Sequence, residues 1–334
     1  TQVSFHQGME TMLLDRATRR NLELTESMRA GERKGSLLWL LDRTKTAMGA
    51  RLLKAWVEEP LISKERIETR LNAVEAFKDD ILAADELAEA LENVSDLERL
   101  LSKLSYQSFS ARDSLALMRS LSSVRPIKEK LKKFNVSGIE ALWHTLAPLN
   151  SLRELIGRAI HPDAPPVITE GGIIADGYSE ELDEYRGAAL HGKQWLMELE
   201  TAEREKTGIK NLKIQYNRVF GYYLEVTKSY LSLVPDRYAR RQTLANAERY
   251  ITQELSEIER KITGAQQSAV TLETELFNDI RSQIEKEIPA IQQNALALKT
   301  LDVLLSLAKT ARDYGYIKPE IVDNGVLDIR NGRH

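Results

Sequence analysis

Apolar residues recur through the first half of the chain at the three- and four-residue spacing that is typical of amphipathic helices. The pattern begins at Ser36 and continues as a series of short helices, one of which is expected to end before Pro60. Serine residues precede several of these apolar runs and are predicted to cap the helices: Ser63, Ser95 with Glu98, and Ser110 with Asp113. We interpret the apolar stripes of these helices as packing surface.

A segment rich in proline and glycine at 161–177 interrupts the helical pattern and predicts a boundary. Two longer helical patterns follow at 178–205 and 252–288, and Pro289 is expected to end the second. Because each has a narrow apolar seam, the two helices are expected to pair antiparallel. The alternative is a seam for a helix of a partner protein. A last helix is predicted at 296–311.

The stretch 206–250, between the two long patterns, is the only part that shows the two-residue alternation of β-strands. Apolar residues alternate with polar ones at 212–216 and again at 222–227. The residues between these runs end in Gly221, which predicts a turn and therefore a β-hairpin.

A third strand is predicted at 238–244, in which Arg240 and Arg241 point to opposite faces unless the strand bulges. Together the patterns predict a mainly α fold. It consists of a helical core and two long antiparallel helices that carry a small β-rich module at their tip.

Composition limits the class of protein and singles out the same stretch. The chain has 334 residues, enough for two or three packed units, and no apolar run of the length of about 20 residues that spans a bilayer. It has no cysteine and no signal-peptide pattern at its start, which favours a cytoplasmic protein. Nine basic and three acidic residues give 206–250 a net charge of +6, whereas the whole chain carries −3.

The basic module also holds seven of the chain's seventeen Phe and Tyr residues. Lysine and arginine beside tyrosine and asparagine suit contacts with the phosphates of DNA or RNA. The alternative is a solvated basic face that keeps a small sheet soluble. No recognition-helix or zinc-finger pattern accompanies the module, so base-specific reading is not indicated.

One apparent nucleotide-binding motif is rejected. Gly187, Gly192 and Lys193 match the phosphate-binding loop, but Gln194 replaces the Ser or Thr that would bind magnesium, and the match lies inside a helical pattern. The five histidines are scattered without metal-ligand spacing. The sequence therefore predicts no catalytic, cofactor-binding or metal-binding residue in this chain.

Several longer motifs resemble the MutS family of DNA mismatch-recognition proteins, in order and over essentially the whole chain. They are LLDRATRRNLELTE, GARLLKAWVEEPL, EGGIIADGYSEELDEYR, GYYLEVTK, RRQTLANAERYITQEL and the closing NGRH. The resemblance implies a core (lever) domain at 1–177 and 289–334, an outgoing lever helix at 178–205, a clamp domain at 206–250 and a returning lever helix at 251–288.

In that family the clamp grips the DNA backbone without sequence preference, and the lever helices connect DNA engagement to a distant ATPase. Carried over by position, the DNA-binding candidates are Lys210, Lys213, Asn217, Arg218, Arg240, Arg241, Asn246 and Arg249. The alternative function is a structural or protein-interaction scaffold whose basic tip binds an acidic partner.

The resemblance also implies what the rest of a longer protein supplies. The mismatch reader would lie before Thr1, and the ATPase, which uses ATP and magnesium, would begin beyond His334. The parent protein is expected to be a homodimer that acts with a downstream repair partner, away from membranes. This chain itself is expected to need no cofactor and not to be an enzyme.

Overall fold

The structure is a computed structural model that describes residues 10–332, without the side chain of Ala189. Helices hold 61% of the described residues and are accompanied by a small antiparallel sheet, which confirms the mainly α class. The chain divides into two compact units. The first has the described residues up to Phe109, Asp113–Gly157 and those from Arg281; the second has Ser110–Arg112 and Arg158–Ile280. The finer division into core, lever helices and clamp stays a prediction.

The regular elements follow in chain order. The helices are α1 (Arg16–Asn21), α2 (Leu37–Leu41), α3 (Ala47–Glu58), α4 (Lys64–Asp79), α5 (Ile81–Glu92), α6 (Leu97–Ser105), α7 (Ala111–Leu131), α8 (Ser137–Thr145), α9 (Asn150–Ala159), α10 (Glu180–Thr207), α11 (Gln253–Lys286) and α12 (Ile288–Tyr314). The strands are β1 (Lys213–Asn217), β2 (Gly221–Thr227), β3 (Ala239–Thr243) and β4 (Ala247–Ile251).

Helix α12 forms the centre of the first unit and packs against α2, α3, α4, α5, α6 and α8. It buries polar as well as apolar side chains. Asp302 accepts hydrogen bonds of 2.8 Å from the backbone N–H groups of Lys45 and Thr46 and so fixes the start of α3. A Cβ atom at Gly49 would lie 2.1 Å from Oδ2 of Asp302, so only glycine permits this approach. Burial raises the pKa of the Asp302 carboxyl.

The predicted helix caps are confirmed in one case and wrong in another. Ser63 caps α4, because its hydroxyl accepts from the backbone N–H of Arg66. Ser95 does not cap α6. The N-cap is Asp96, whose carboxylate accepts from the N–H of Arg99 at 3.1 Å, while the N–H of Ser95 donates to the hydroxyl of Ser120. The carboxylate one residue nearer the helix takes the capping position.

The prediction that Pro289 ends the second long helix is also wrong. Helix α11 ends at Lys286, and Pro289 lies in the first turn of α12, where a missing N–H loses no intrahelical hydrogen bond. The last helix therefore begins at Ile288 and not near residue 296. The break in the helical pattern predicted at 161–177 is confirmed, apart from a single 3-10 turn at Ile168–Glu170, and the domain boundary there stays a prediction.

Helices α10 and α11 pair antiparallel in the second unit, as predicted. Arg186 on α10 forms an ion pair of 2.7 Å with Glu273 on α11. Further along α10, a Cβ atom at Gly192 would lie only 2.2 Å from Cγ1 of Ile262. As residue numbers increase along α10, the residue numbers of the contacts on α11 decrease, so the two helices run antiparallel. The glycine at 192 is a point of close approach between the helices.

The sheet has the order β1-β2-β4-β3, and every neighbouring pair is antiparallel. The β1–β2 hairpin and the third strand are confirmed. Strand β4 was not predicted. The alternation predicted for β1 fails at its end, because Tyr216 is 61% exposed. Leu212, Leu224, Val226 and Tyr250 join the helix residues Leu196 and Leu255 in one buried apolar cluster.

Candidate nucleic-acid interface

The β1–β2 hairpin carries the first group of candidate residues and is held by both its own turn and α11. The side chain of Asn217 accepts from the N–H of Val219 at 2.8 Å within the turn. Gly221 has φ +74°, and a Cβ atom there would lie 1.9 Å from Oε1 of Glu259. That carboxylate accepts from the N–H of Tyr222 at 3.2 Å. These contacts fix the backbone on both sides of the exposed Arg218.

One face of the sheet carries a row of polar side chains. In the register of the sheet, Lys213 is opposite Glu225, Glu225 opposite Arg249, and Arg249 opposite Gln242. The row crosses all four strands with alternating signs of charge at its first three positions. Opposite charges at paired positions stabilise a sheet. Within the row, the ion pair between Arg249 and Glu225 joins β4 to β2, whereas Lys213 makes no ion pair with a described residue.

Arg249 is committed to this row. Its Nε lies 3.4 Å from Oε2 of Glu225, its Nη1 donates to Oε1 of Gln242 at 2.8 Å, and its guanidinium lies 4.3 Å from the ring centroid of Tyr223. The Arg249 side chain is 18% exposed. Its donors are largely used inside the sheet, so its position favours a supporting role over a direct contact with an outside anion.

The β3–β4 hairpin forms the opposite edge of the sheet and carries the second group of candidates. The register shifts between Arg240 and Gln242, which makes Arg241 the extra residue of a β-bulge. Because the strand bulges here, Arg240 and Arg241 need not point to opposite faces of the sheet. Arg240 is 63% exposed and lies 3.6 Å from Glu248. Arg241 is exposed, and so is Asn246 in the turn before β4.

Several cations of the module are exposed and have no ion-pair partner within 4 Å in the described part of the chain. Those predicted from the sequence are Lys210, Lys213, Arg218 and Arg241. Lys206 and Lys228 share the property and were not singled out, although their charge was the available signal. The candidates thus lie at both edges of the sheet and in the turns beside it, and not on a single strand.

A buried carboxylate that sequence reasoning missed anchors the module. Glu203 on α10 accepts from Nη1 and Nη2 of Arg237 at 3.0 and 2.7 Å and from the hydroxyl of Tyr238 at 2.6 Å. Burial opposes the charge of Glu203, but the hydrogen bonds from Arg237 and Tyr238 outweigh it and lower the pKa of the carboxyl. The available signal was a glutamate that continues the helical spacing of Leu196 and Leu199.

The structure also bears on the rejected motifs. Gly187, Gly192 and Lys193 lie inside α10, so they form no phosphate-binding loop. Within residues 10–332, no group of three His, Asp or Glu side chains could hold a metal ion. No helix of that range is long and apolar enough to cross a membrane. His6, His334 and the end of the NGRH motif lie outside the described residues.

Comparison with known proteins gives a consistent relationship. The family profile of MutS domain III matches residues 17–308. The DNA mismatch repair protein MutS of Acetivibrio thermocellus is 48% identical over 97% of this chain. That of Desulforamulus reducens is 45% identical over 100% of it, and that of Bacillus cytotoxicus 48% over 99%. The matches cover 37%, 38% and 37% of these relatives, so the chain spans less than two fifths of their length.

Proposed function

Since this chain belongs to the MutS family, we propose that the sheet of its second unit binds the backbone of double-stranded DNA without sequence preference. The observation that carries the proposal is the set of exposed cations at the two edges of the sheet, to which the described chain offers no carboxylate within ion-pair distance. Such cations bind phosphates and release counterions from the duplex, a gain that does not depend on base sequence.

The candidate residues divide by how available their polar atoms are. Lys210, Lys213, Arg218 and Arg241 are proposed as direct phosphate contacts. Arg240 is itself exposed and only 3.6 Å from the buried Glu248, so it is proposed to turn to a phosphate while Tyr250 continues to donate a hydrogen bond to Glu248.

The remaining candidates have more specialised proposed roles. Asn246 offers an exposed amide in the β3–β4 turn. Asn217 uses its side-chain oxygen within the hairpin, so its amide N–H groups are its donors toward DNA. Arg249 is proposed to hold the outer face of the sheet, and to act on DNA only through the strands that it supports.

Helix α11 supports a second element of the proposal, which is conformational coupling. It is one continuous helix of 34 residues, and its last residues belong to the first unit. In the second unit it is joined to α10 by the Arg186–Glu273 ion pair, and Glu273 also accepts from the backbone N–H of Ile173 at 2.9 Å. A displacement of the sheet on binding DNA would therefore be transmitted along a packed pair of helices.

The proposal is tested by duplex binding at several salt concentrations, measured by fluorescence anisotropy on two unrelated sequences. The test variant replaces Lys210, Lys213, Arg218 and Arg241 by Gln. The slope of log affinity against log salt is negative. Its magnitude is expected to decrease by about 4, equally on both sequences.

A charge-matched control replaces two lysines and two arginines of the first unit that are also exposed. They are Arg29, Lys34, Arg125 and Lys133. An equal loss in the control would reduce the effect to overall charge and refute the sheet as the binding surface. Tight, weakly salt-dependent binding to an acidic protein instead of duplex would favour the scaffold function.

Properties of the longer protein remain proposals. Family membership supports mismatch recognition, an ATPase that uses ATP and magnesium, a homodimer and a downstream repair partner. We propose that these reside outside the basic sheet. The cytoplasmic location stays a prediction.

A further inference from the structure

A pocket of about 400 Å³ lies in the first unit among α3, α4, α8 and α12. Leu52, Leu142 and Leu304 contribute apolar surface to it, and Trp56 and Arg70 contribute an aromatic ring and a cation. Its volume is within the range of small-molecule sites, about 300 to 1,000 Å³. None of the residues that line the pocket belongs to the basic stretch 206–250, and none is part of the proposed DNA-binding surface.

Arg70 is the unusual residue of this pocket. Its guanidinium carbon lies 3.4 Å from the ring centroid of Trp56, so the two groups are in van der Waals contact. Across residues 10–332 it has no hydrogen bond and no ion pair. Burial, and then the charge of Arg66, lowers the pKa of Arg70 to about 10. Partial desolvation of a cation without an anion is unfavourable, and a bound anion would relieve it.

The neighbouring arginine does not share this property. Arg66 lies one helical turn earlier on α4 and also lines the pocket, but it forms an ion pair with Glu10. The pocket therefore offers one uncompensated positive charge. A single cation in an apolar pocket matches a monoanion, whereas a doubly charged phosphate is usually held by several cations or backbone N–H groups.

Because no described group accepts a hydrogen bond from Arg70, the N–H donors of its guanidinium are available to a ligand. Those donors match the two oxygens of a carboxylate in a bidentate pair. We propose that this pocket binds a carboxylate carried on a short aliphatic body, with Arg70 pairing the carboxylate and the leucine-lined surface covering the body. Two sources have this chemistry: a free branched carboxylic acid, and the Asp or Glu side chain of an apolar peptide.

The test follows the side-chain Nε–H resonance of Arg70 in the 334-residue chain labelled with ¹⁵N-arginine. The probes are 4-methylpentanoate for the free acid and N-acetyl-Leu-Glu-Leu-amide for the peptide. The neutral 4-methylpentanamide and inorganic phosphate serve as comparison probes. We expect a saturable shift with at least one carboxylate probe, and an affinity about tenfold or more weaker for the amide, because hydrogen bonds to charged groups are the stronger ones. The probe that saturates identifies the source.

Two variants make the result specific to the pocket. Arg70→Gln is followed through the backbone amide resonances of α4 and should lose saturable binding. Ala141→Phe keeps Arg70 but fills the pocket from Ala141, which lines it and is exposed, and should weaken binding about tenfold or more. Arg125→Gln, at an exposed arginine on α7, is the matched control and should bind as the parent chain does.

Several results would overturn the assignment. These are no saturable shift with either carboxylate, equal affinity for the amide, or binding that survives both Arg70→Gln and Ala141→Phe. Saturation by inorganic phosphate alone would likewise exclude a carboxylate site. Circular dichroism shows whether each variant is folded. If Arg70→Gln is unfolded, the binding measured for Ala141→Phe tests the pocket by itself.

Discussion

The carboxylate of Glu203 on α10 is buried, and the guanidinium of Arg237 donates to both of its oxygens, at 3.0 and 2.7 Å. This relationship joins the chain before β3 to the long helix. It also removes one of the nine basic residues of the stretch 206–250 from those available to DNA. Net charge alone therefore overstates the binding surface, and stability and DNA contact are carried by different arginines.

We predict that Glu203→Gln lowers the free energy of unfolding by about 1–3 kcal/mol, because the guanidinium of Arg237 and the buried hydroxyl of Tyr238 lose their charged acceptor. Urea unfolding followed by circular dichroism measures the change. Glu205→Gln, at an exposed glutamate on the same helix, is the control and should change stability by less than about 0.5 kcal/mol. Equal effects of the two substitutions would contradict the role of Glu203.

The same contact predicts a dependence on pH. The pKa of Glu203 is lowered in the folded chain, so the unfolded state binds more protons and the contribution is present above the ordinary glutamate pKa of about 4.3. It is lost as pH falls through the lowered pKa. Stability measured between pH 7 and pH 3 should therefore fall less steeply at the acid end for Glu203→Gln than for the parent chain. Parallel curves would show that Glu203 titrates normally.

Gly192 should be required where α10 and α11 meet. We predict that Gly192→Ala destabilises the chain by about 1–3 kcal/mol, since its Cβ would lie 2.2 Å from Cγ1 of Ile262. Gly187→Ala on the same helix has no atom within 4 Å of the new Cβ, and should stabilise by about 0.5–1 kcal/mol. Adding Ile262→Ala to Gly192→Ala should recover part of the loss in a double-mutant cycle. If the losses of stability from Gly192→Ala and Ile262→Ala simply add, the two residues are not in close contact.

A comparison of alanine substitutions at Gly221 and at Gly208 tests whether Glu259 positions the β1–β2 hairpin. Both have positive φ, +74° and +71°, so alanine is strained at each. Only Gly221 also faces a carboxylate, with Oε1 of Glu259 1.9 Å from the added Cβ. Gly221→Ala should thus destabilise more than Gly208→Ala and should weaken duplex binding by displacing Arg218. If thermal unfolding and anisotropy show the two variants to be equal, Glu259 does not position the hairpin.

Much of the fold was predictable because it depends on apolar periodicity. The long helices and their antiparallel pairing follow from apolar spacing, and the β1–β2 hairpin follows from two-residue alternation together with the turn at Gly221. Strand β4 was missed because Glu248 is buried at a position where a half-buried strand would carry an apolar residue. The cap at Asp96 was missed because two adjacent residues could both cap, and tertiary contacts to Ser95 decide between them.

The site was predictable as a region but not residue by residue. Charge identifies 206–250, yet it cannot separate the unpaired Arg241 from Arg249, which is paired across three strands. That difference depends on sheet register and on a bulge, both set by contacts distant in sequence. Glu203 was hidden for the same reason, since its partners lie 34 and 35 residues away.

The most direct test of DNA-backbone binding by this sheet is the salt dependence of duplex binding after substitution of one residue, Arg241. It lies at the β-bulge, is exposed, and has no ion pair with any described residue. Titrations of the parent chain and of Arg241→Gln, on two unrelated duplexes, give the slope of log affinity against log salt. Backbone binding by the sheet predicts that the magnitude of the slope is smaller by about 1 on both duplexes for Arg241→Gln and unchanged for Arg125→Gln. An unchanged slope for Arg241→Gln, or a loss confined to one sequence, would contradict backbone binding by this sheet.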